Sequence, residues 1–290
     1  MDIEYRPARD EDLPECVELF LESLADMRLR HNLDVPATPL GERMPAFYRH
    51  VQRSGIFHVA EVEGKIAALA CAILRDRNWF LSGFWARPAL QRQHIGMPLL
   101  RGVWQAGKEA GATLFFVWSS REPTAMAAYM KLGMLPGSPI LSFEGTPRPT
   151  GELSAEYDVQ PLDKSFAMDM DQVTLGYRRE VDHDYFASMG SQGRQVRRNG
   201  KPVGYYYISE AGIGPAAWES QEHAEALLTL ACREAAAAGS AVAIEIPGMN
   251  HAAIRFALQA GLRLTNFSHL LMSAPFGRLE NYLPSGPGLF

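Results

Sequence analysis

The sequence predicts an α/β protein (α+β, with mixed sheets) in which one order of strands and helices occurs twice. Three observations lead to this prediction. An aromatic, apolar run over 79–86 precedes a polar turn and an amphipathic helix. Hairpin patterns surround Glu63-Gly64 and Asn199-Gly200. A spaced Ala/Gly pattern over 122–134 returns over 250–262.

Length and composition favour a folded protein with two domains. The chain has 290 residues, 47% hydrophobic and 21% charged. No apolar run approaches the roughly 18 residues of a membrane helix, so a membrane partner is not expected. The acidic start over 1–4 does not resemble a signal peptide. Three scattered cysteines in apolar contexts indicate a reducing compartment, and we therefore expect a cytoplasmic protein.

The charge distribution argues against nucleic acid as a partner. The formal net charge is −5, and the acidic excess lies within 151–290. No basic stripe is interleaved with aromatic residues, as nucleic-acid binding would require. The acidic surface either attracts a cationic acceptor or serves solubility. No metal is expected, because metal-ligand spacing is absent around five histidines: His58, His183, His223, His251 and His269.

The first half begins with an alternating strand over 3–7. Asp10 is placed to cap the next helix, whose apolar face runs to Leu24. Three prolines interrupt 31–45, which predicts no long helix there. The elements expected after this region are strands 57–62 and 65–74, strand 79–86, a helix from Gly96 to about Ala110 ended by Gly111, a buried parallel strand 113–118, a helix between Pro123 and Gly133, and a strand 140–144.

The turn after strand 79–86 has the properties of a phosphate-binding site. It ends on a helix N-terminus, where main-chain N–H groups lack partners and the helix dipole is positive. Pro98 fits the first helical turn, because a missing N–H has no consequence there. Arg92 and His94 add side-chain donors beside these amides.

Two spaced motifs resemble one family. Ala86-x-Pro88-x-x-Gln91-x-x-His94-x-Gly96 is similar to the acyl-CoA loop of the GNAT superfamily of N-acetyltransferases, with His94 at the first glycine of the pattern. The segment 122–134 resembles a second GNAT motif: Ala125, Tyr129 and Gly133 match, whereas Glu122 replaces Asn and Met134 replaces Phe.

This resemblance implies two tandem GNAT folds. An acyl-CoA-binding catalytic domain would span 1–145, a Pro/Gly-rich linker 146–152, and a GNAT-like domain 153–290. The second copy carries the hairpin turn and the motif at 250–262, but it has no counterpart of the acyl-CoA loop.

The resemblance also implies an enzyme that transfers an acetyl group from acetyl-CoA to an amine. Tyr129 takes the position of the general acid that faces the CoA sulfur. The base stays open between Glu122, Glu61 and a water relay, because strand 113–118 has no carboxylate. The residues expected to bind acetyl-CoA are Phe84, Trp85, Ala86, Gln91, Arg92, Gln93, His94, Ile95, Gly96 and Met97.

Two other interpretations stay open. The chain could be a non-catalytic acyl-CoA-binding or scaffold protein, which the departures at His94 and Glu122 favour. Alternatively, the second domain carries the ligand site, for which the aromatic run Tyr205-Tyr206-Tyr207 with Trp218 is the indication. The sequence leaves open which amine is the acceptor and whether the protein forms a homodimer.

Overall fold

The structure is a computed structural model of the chain, and it describes residues 2–31, 40–91, 93–148, 153–210, 212–237 and 241–290. Arg92, part of the predicted linker (149–152) and part of the proline-rich region (32–39) lie outside the described residues. Backbone contacts divide the chain into two compact units, Met1–Val117 and Trp118–Phe290.

The first unit contains a mixed sheet with helices. Its strands are β1 (Ile3–Pro7), β2 (Gly55–Val62), β3 (Lys65–Arg75), β4 (Asn78–Ala86) and β5 (Leu114–Ser119), which extends past the boundary between the units. Its helices are α1 (Leu13–His31), α2 (Leu40–Ser54) and α3 (Gly96–Glu109). Strands β1 to β4 pair antiparallel in chain order, and β5 pairs parallel with β4, as predicted.

Strand β3 lies between two neighbouring strands and is buried on both faces. Eight successive residues from Ile66 to Ile73 are buried. Small side chains, Ala67, Ala68, Ala70 and Ala72, fill much of this run. A continuous apolar run of this kind is typical of a strand covered on both sides, because neither face needs polar residues.

The start of α1 differs from the prediction. Asp10 does not cap the helix, because a single 3₁₀ turn, Asp10–Asp12, comes before Leu13. Asp12 supplies the capping carboxylate instead, accepting from the main-chain N–H of Arg9 at 2.7 Å. The same carboxylate forms a bidentate ion pair with Arg6, whose two terminal nitrogens lie 2.6 and 2.9 Å from the Asp12 oxygens. Arg6 holds the pKa of Asp12 below its usual value.

The prediction of no long helix before residue 45 was wrong for α2. This helix begins at Leu40 and contains Pro45. Pro45 is the sixth residue of the helix, past the first turn, so it removes one main-chain hydrogen bond. Met44, Tyr48 and Val51 are buried at helical spacing, and this apolar face outweighs the proline.

The second unit contains the strands and helices that follow β5. Its strands are β6 (Leu135–Gly145), β7 (Tyr157–Pro161), β8 (Gln192–Arg198), β9 (Lys201–Ser209), β10 (Gly212–Trp218), β11 (Val242–Pro247), β12 (Arg263–Met272) and β13 (Tyr282–Leu283). Its helices are α4 (Pro123–Lys131), α5 (Lys164–Thr174), α6 (Glu180–Ser188), α7 (Ala224–Ala237) and α8 (His251–Gln259). The order of its main strands is β12-β6-β11-β10-β9-β8-β7, and β13 adds to β10.

Strand β6 lies between two strands from the end of the chain. It pairs antiparallel with β11, where Ser142 is opposite Glu245, and antiparallel with β12, where Ser142 is opposite Asn266. Side chains opposite one another share a face of a sheet. The two pairings therefore place these three residues in one row.

The core of the second unit forms between this sheet and helices α7 and α8. Leu227, Leu228 and Ala231 from α7 pack with Phe256 from α8 and with the β-strand residue Ile244. Asn250, predicted to open the second copy of the motif, is the N-cap of α8. Its side-chain oxygen accepts from Ala253 N at 3.1 Å. The repeated motif therefore marks a helix start in both halves.

The predicted turns have the expected left-handed backbone. Glu63 and Gly64 have φ of 51° and 77°, and Asn199 and Gly200 have φ of 50° and 77°. Positive φ at both central residues is typical of tight hairpin turns. Gly111, with φ of 92°, follows α3 as predicted.

Candidate active site

The chain between β4 and α3 forms the predicted strand–turn–helix unit. The main-chain N–H of Arg87 donates to Ala67 O at 3.0 Å, which continues the sheet pairing past the last residue of β4. Pro88–Leu90 then forms one 3₁₀ turn, closed by Leu90 N donating to Arg87 O at 2.9 Å. The loop therefore leaves the sheet in a defined direction before α3 begins.

Two glutamine side chains fold back onto the turn. Gln91 donates from Nε2 to Ala86 O at 3.3 Å, and the exposed Gln93 donates from Nε2 to Ala89 O at 3.4 Å. These bonds join side chains of the loop to its own main chain. Of the predicted loop residues, Arg92 lies outside the described part of the chain.

His94 adopts a backbone conformation that glycine usually provides. Its φ is 62°, in the left-handed region, and its side chain is exposed. Histidine is one of the few residue types enriched at positive φ. The loop thus keeps the conformation that a glycine favours, although His94 stands at that place in the motif.

Gly96 opens α3 at a point of close approach. A Cβ added there would lie 2.9 Å from Cζ of Phe84. Because real Cβ atoms essentially never come this close, any side chain at this position must displace the Phe84 ring. Glycine at 96 therefore allows the helix start to approach the Phe84 ring closely.

The N-terminus of α3 is arranged to attract an anion. Ile95, the N-cap residue, makes no side-chain capping bond, and the first helical turn holds no acidic residue. The Ile95 side chain is buried, and its carbonyl accepts from the hydroxyl of Tyr5 at 3.3 Å. Met97 follows as the second helical residue. The positive end of the helix dipole is thus left without a negative side chain of its own.

The last residues of β4 are partly exposed beside this loop. Phe84, Trp85 and Ala86 all have intermediate exposure. The Trp85 ring packs edge-on against Phe20, with 5.1 Å between ring centroids. The carbonyl of Ala86 also accepts from Ser23 Oγ, at 3.0 Å. Helix α1 therefore holds the strand end from which the loop starts.

Arg87 joins three elements at the start of the loop, a role that the sequence did not reveal. Its Nε donates to Ile66 O at 2.8 Å on β3. Its two terminal nitrogens lie 2.9 Å from carboxylate oxygens of Glu15 and Glu22 on α1. Glu15 also accepts from Ile66 N at 3.0 Å. The guanidinium fork thus fixes the strand end against α1.

The predicted catalytic residues lie together on α4 in the second unit. Glu122 is the N-cap residue and makes no side-chain capping bond, and Pro123 is the first helical residue. Tyr129 is buried two turns later, and burial raises its pKa well above the usual value. Its phenol therefore keeps its proton over the whole neutral range and is able to act only as an acid there.

The aromatic run at 205–207 belongs to a buried network. The hydroxyl of Tyr205 donates to Asp171, and the hydroxyl of Tyr207 lies 2.9 Å from Nδ1 of His183. Arg179 lies 2.7 Å from the Asp171 carboxylate. All these side chains are buried with partners inside the unit, so the aromatic run stabilises the fold.

Within the described residues, no helix is both long and apolar enough to cross a membrane. Over the same residues, no group of three or more His, Cys, Asp and Glu side chains is arranged to hold a metal ion. The three cysteines are buried free thiols.

Residues 18–134 match the model of the acetyltransferase (GNAT) family. This segment includes the loop and the motif at 122–134. Solved structures similar over almost the whole chain include two GNAT proteins. The chain has a tandem GNAT fold. The sequence resemblance and the predicted fold class are thereby confirmed.

Three solved structures each match most of this chain. A protein from Pyrococcus horikoshii, assigned as an acetyltransferase, has a TM-score of 0.79 at 16% identity, over 99% of this chain and 96% of its own. A tandem GNAT protein from the clavulanic acid biosynthesis pathway has a TM-score of 0.65 at 14% identity, over 94% and 99%. A GNAT enzyme from Sphaerobacter thermophilus has a TM-score of 0.64 at 15% identity, over 96% and 98%. No curated protein matches the chain in sequence.

Proposed function

We propose that this protein is an N-acetyltransferase that moves an acetyl group from acetyl-CoA to an amine of a small molecule or protein. The amine nitrogen bonds to the thioester carbonyl carbon, and the carbon–sulfur bond breaks. The CoA sulfur leaves as a thiolate and is protonated, while the nitrogen loses a proton. Direct attack of this kind needs both substrates bound at the same time.

The start of α3 is the observation that carries the proposal. Its first turn has no acidic residue and no side-chain cap. The corresponding helix of the second half, α7, contrasts with it. A 3₁₀ turn capped by Ser220 comes before α7, and Glu222 and Glu225 lie in the first turns. An anion is therefore favoured at α3 and disfavoured at α7.

This contrast supports different roles for the two halves of the chain. In our proposal, residues 1–145 contain the acyl-CoA-binding catalytic domain, and 153–290 form a GNAT-like domain without the loop. The residues from Gln91 to Met97 hold the pyrophosphate of CoA through main-chain amides and side chains. Phe84, Trp85 and Ala86 hold the pantetheine arm at the strand end.

Tyr129 is proposed as the acid that protonates the departing thiolate. The buried phenol is protonated at neutral pH, which is the state that a proton donor requires. Glu122 is proposed to assist at the start of the same helix. Its carboxylate has intermediate exposure and is therefore accessible to solvent.

Calorimetric titration with acetyl-CoA tests the site. In the Gly96→Glu variant a carboxylate is placed at the helix N-terminus and Phe84 is displaced, so we expect at least about tenfold weaker binding than for wild type. Gly102→Glu is the matched control, because the position is exposed on α3 and a Cβ there would lie 3.9 Å from the nearest atom, Nδ1 of His58. Equal binding by all three proteins would overturn the proposed acyl-CoA site.

A turnover assay distinguishes an enzyme from a non-catalytic acyl-CoA-binding protein. Tyr129→Phe removes the proton donor and should lower kcat about 100-fold in an assay of CoA thiol release, with acetyl-CoA binding unchanged. Tyr206→Phe is the control, because that hydroxyl donates to Glu234 in the second unit, 3.1 Å away. An unchanged kcat in Tyr129→Phe would remove this residue from the mechanism.

A further inference from the structure

A row of polar side chains crosses three strands of the second unit. Glu245 on β11 is opposite Ser142 on β6, and Ser142 is opposite Asn266 on β12. Ser268 lies two residues beyond Asn266 and therefore on the same face of the sheet. The alternate residues of β6 and β11, such as Phe143 and Ile244, belong to the apolar core.

Glu245 is a mostly buried carboxylate with one hydrogen-bond donor. Ser142 Oγ donates to its Oε2 at 2.8 Å. Among the described residues, Glu245 forms no ion pair. Burial disfavours the ionised form of Glu245. The negative charge of Glu144, on the same strand as Ser142, repels the Glu245 carboxylate and adds to this effect. Both raise the pKa of Glu245, to about 6.

Asn266 presents a second unsatisfied acceptor in the same row. Its Oδ1 is buried and finds no hydrogen-bond partner among the described residues. Ser268 is already engaged, because its hydroxyl accepts from Nε1 of Trp118. The row therefore combines a carboxylate that lacks a cation with an amide oxygen that lacks a donor.

The Glu245 carboxylate and the Asn266 side-chain oxygen would both be stabilised by the same kind of ligand group. A buried acceptor without a donor costs about 1–3 kcal/mol, and a buried carboxylate without a cation costs more. A primary amine in its ammonium form carries three N–H donors and one positive charge. An ammonium group can donate to acceptors of both kinds, whereas an apolar group donates to neither and an anion is repelled by Glu245.

We propose that Glu245, Ser142 and Asn266 form the binding site for the acceptor amine, with Glu245 as its proton acceptor. This inference rests on the proposed function, since it names the second substrate's site. The ammonium donates one proton to the Glu245 carboxylate, which leaves a neutral nitrogen with a free lone pair. That nitrogen then bonds to the thioester carbon as described above, and Glu245 releases the proton to water.

The role also answers a question that the sequence leaves open. Strand β5 has no carboxylate, and the candidates considered from the sequence were Glu122, Glu61 and a water relay. Glu245 accepts a hydrogen bond from Ser142, which holds its carboxylate in place. Ionisation near neutrality suits a general base, because such a group is both deprotonated and able to take a proton.

Kinetics with matched variants test the proposal. We would assay CoA release with phenethylamine and with putrescine, in wild type, Glu245→Gln and Glu225→Gln. Glu245→Gln should lower kcat/KM for amines about 100-fold and remove the decline of wild-type kcat/KM below about pH 6. Glu225→Gln, at an exposed position on α7, should stay within about threefold of wild type. Equal kcat/KM for Glu245→Gln and wild type would overturn the proposal.

A binding measurement separates this proposal from the proposed function. Carbon-13 NMR of protein labelled at the glutamate carboxyl, with the signal assigned by Glu245→Gln, follows the ionisation of Glu245. Excess phenethylammonium should lower the pKa of Glu245, because a bound cation favours the carboxylate. An unchanged pKa would overturn the amine site even if acetyl-CoA binds. A lowered pKa without any acetyl-CoA binding would support the amine site and overturn the acetyltransferase.

Discussion

His94 illustrates at the scale of one residue how the loop keeps its conformation without glycine. Its φ of 62° is costly for most side chains but accessible to histidine. The side chain is exposed, so it does not fill the loop from within. The loop therefore keeps the backbone geometry of the motif, although its sequence departs from the motif at this position.

Substitutions at His94 should separate the backbone from the side chain. His94→Gly keeps the left-handed conformation, and we expect acetyl-CoA to bind within about threefold of wild type. His94→Val should weaken binding at least about tenfold and destabilise the fold by about 1–2 kcal/mol, because a β-branched residue resists positive φ. Calorimetry and urea unfolding measure the two effects. Weaker binding by His94→Gly than by His94→Val would show that the imidazole, and not the backbone, matters.

Arg87 acts at the scale of elements, because it joins β3 and α1 to the residue that starts the loop. Its contacts to Ile66 O, Glu15 and Glu22 use all three guanidinium nitrogens. The two carboxylates are partly exposed, so solvent screens the ion pairs. The hydrogen bond to the main-chain oxygen is then the larger contribution to stability.

We expect Arg87→Ala to lower the free energy of unfolding by about 1–2 kcal/mol and to weaken acetyl-CoA binding. Arg87→Lys should recover less than half of either loss, since an ammonium cannot reach three acceptors in different directions. Urea unfolding and calorimetry give the two values. Full recovery by lysine would mean that charge alone explains the role of this residue.

The elements that the sequence predicts correctly are those with local signals. Hairpin turns, the Gly96 helix start and the cap at Asn250 each depend on a few adjacent residues. Helix α2 was missed because Pro45 was given more weight than the buried spacing of Met44, Tyr48 and Val51. The pairing of β6 with strands from the end of the chain has no local signal, since it depends on tertiary packing.

At the scale of the whole molecule, one part of the candidate site has a local sequence signal and the other part depends on tertiary packing. The proposed acyl-CoA loop is contiguous in sequence, so its residues could be named before the fold was known. The amine site joins Ser142 to Glu245, 103 residues apart, and the pair has meaning only through strand register. Glu245 in sequence is one polar residue in an alternating strand. Its burial and its missing cation appear only in the folded chain.

The pH dependence of stability should reflect two carboxyl groups whose pKa values are shifted in opposite directions. Burial opposes ionisation of Asp171, but Arg179 and His183 together lower its pKa. Its contribution to stability is therefore present above the pKa of the unfolded chain and is lost as pH falls. Glu245 has a raised pKa, so the folded state holds its proton more tightly than the unfolded state. Stability from this group is complete below pH 4.5 and is lost as pH rises to about 6.

Glu245→Gln removes this penalty, and we therefore expect it to unfold less readily than wild type at pH 7, by up to about 2 kcal/mol. At pH 4 the two proteins should be equally stable, because Glu245 is then protonated in both states. Urea unfolding at the two pH values gives the difference, with Glu225→Gln on α7 as the exposed control. A variant that gains stability and loses amine turnover would indicate a carboxylate kept for function. Lower stability of Glu245→Gln at pH 7 would instead assign Glu245 a structural role, holding β6 to β11 through Ser142.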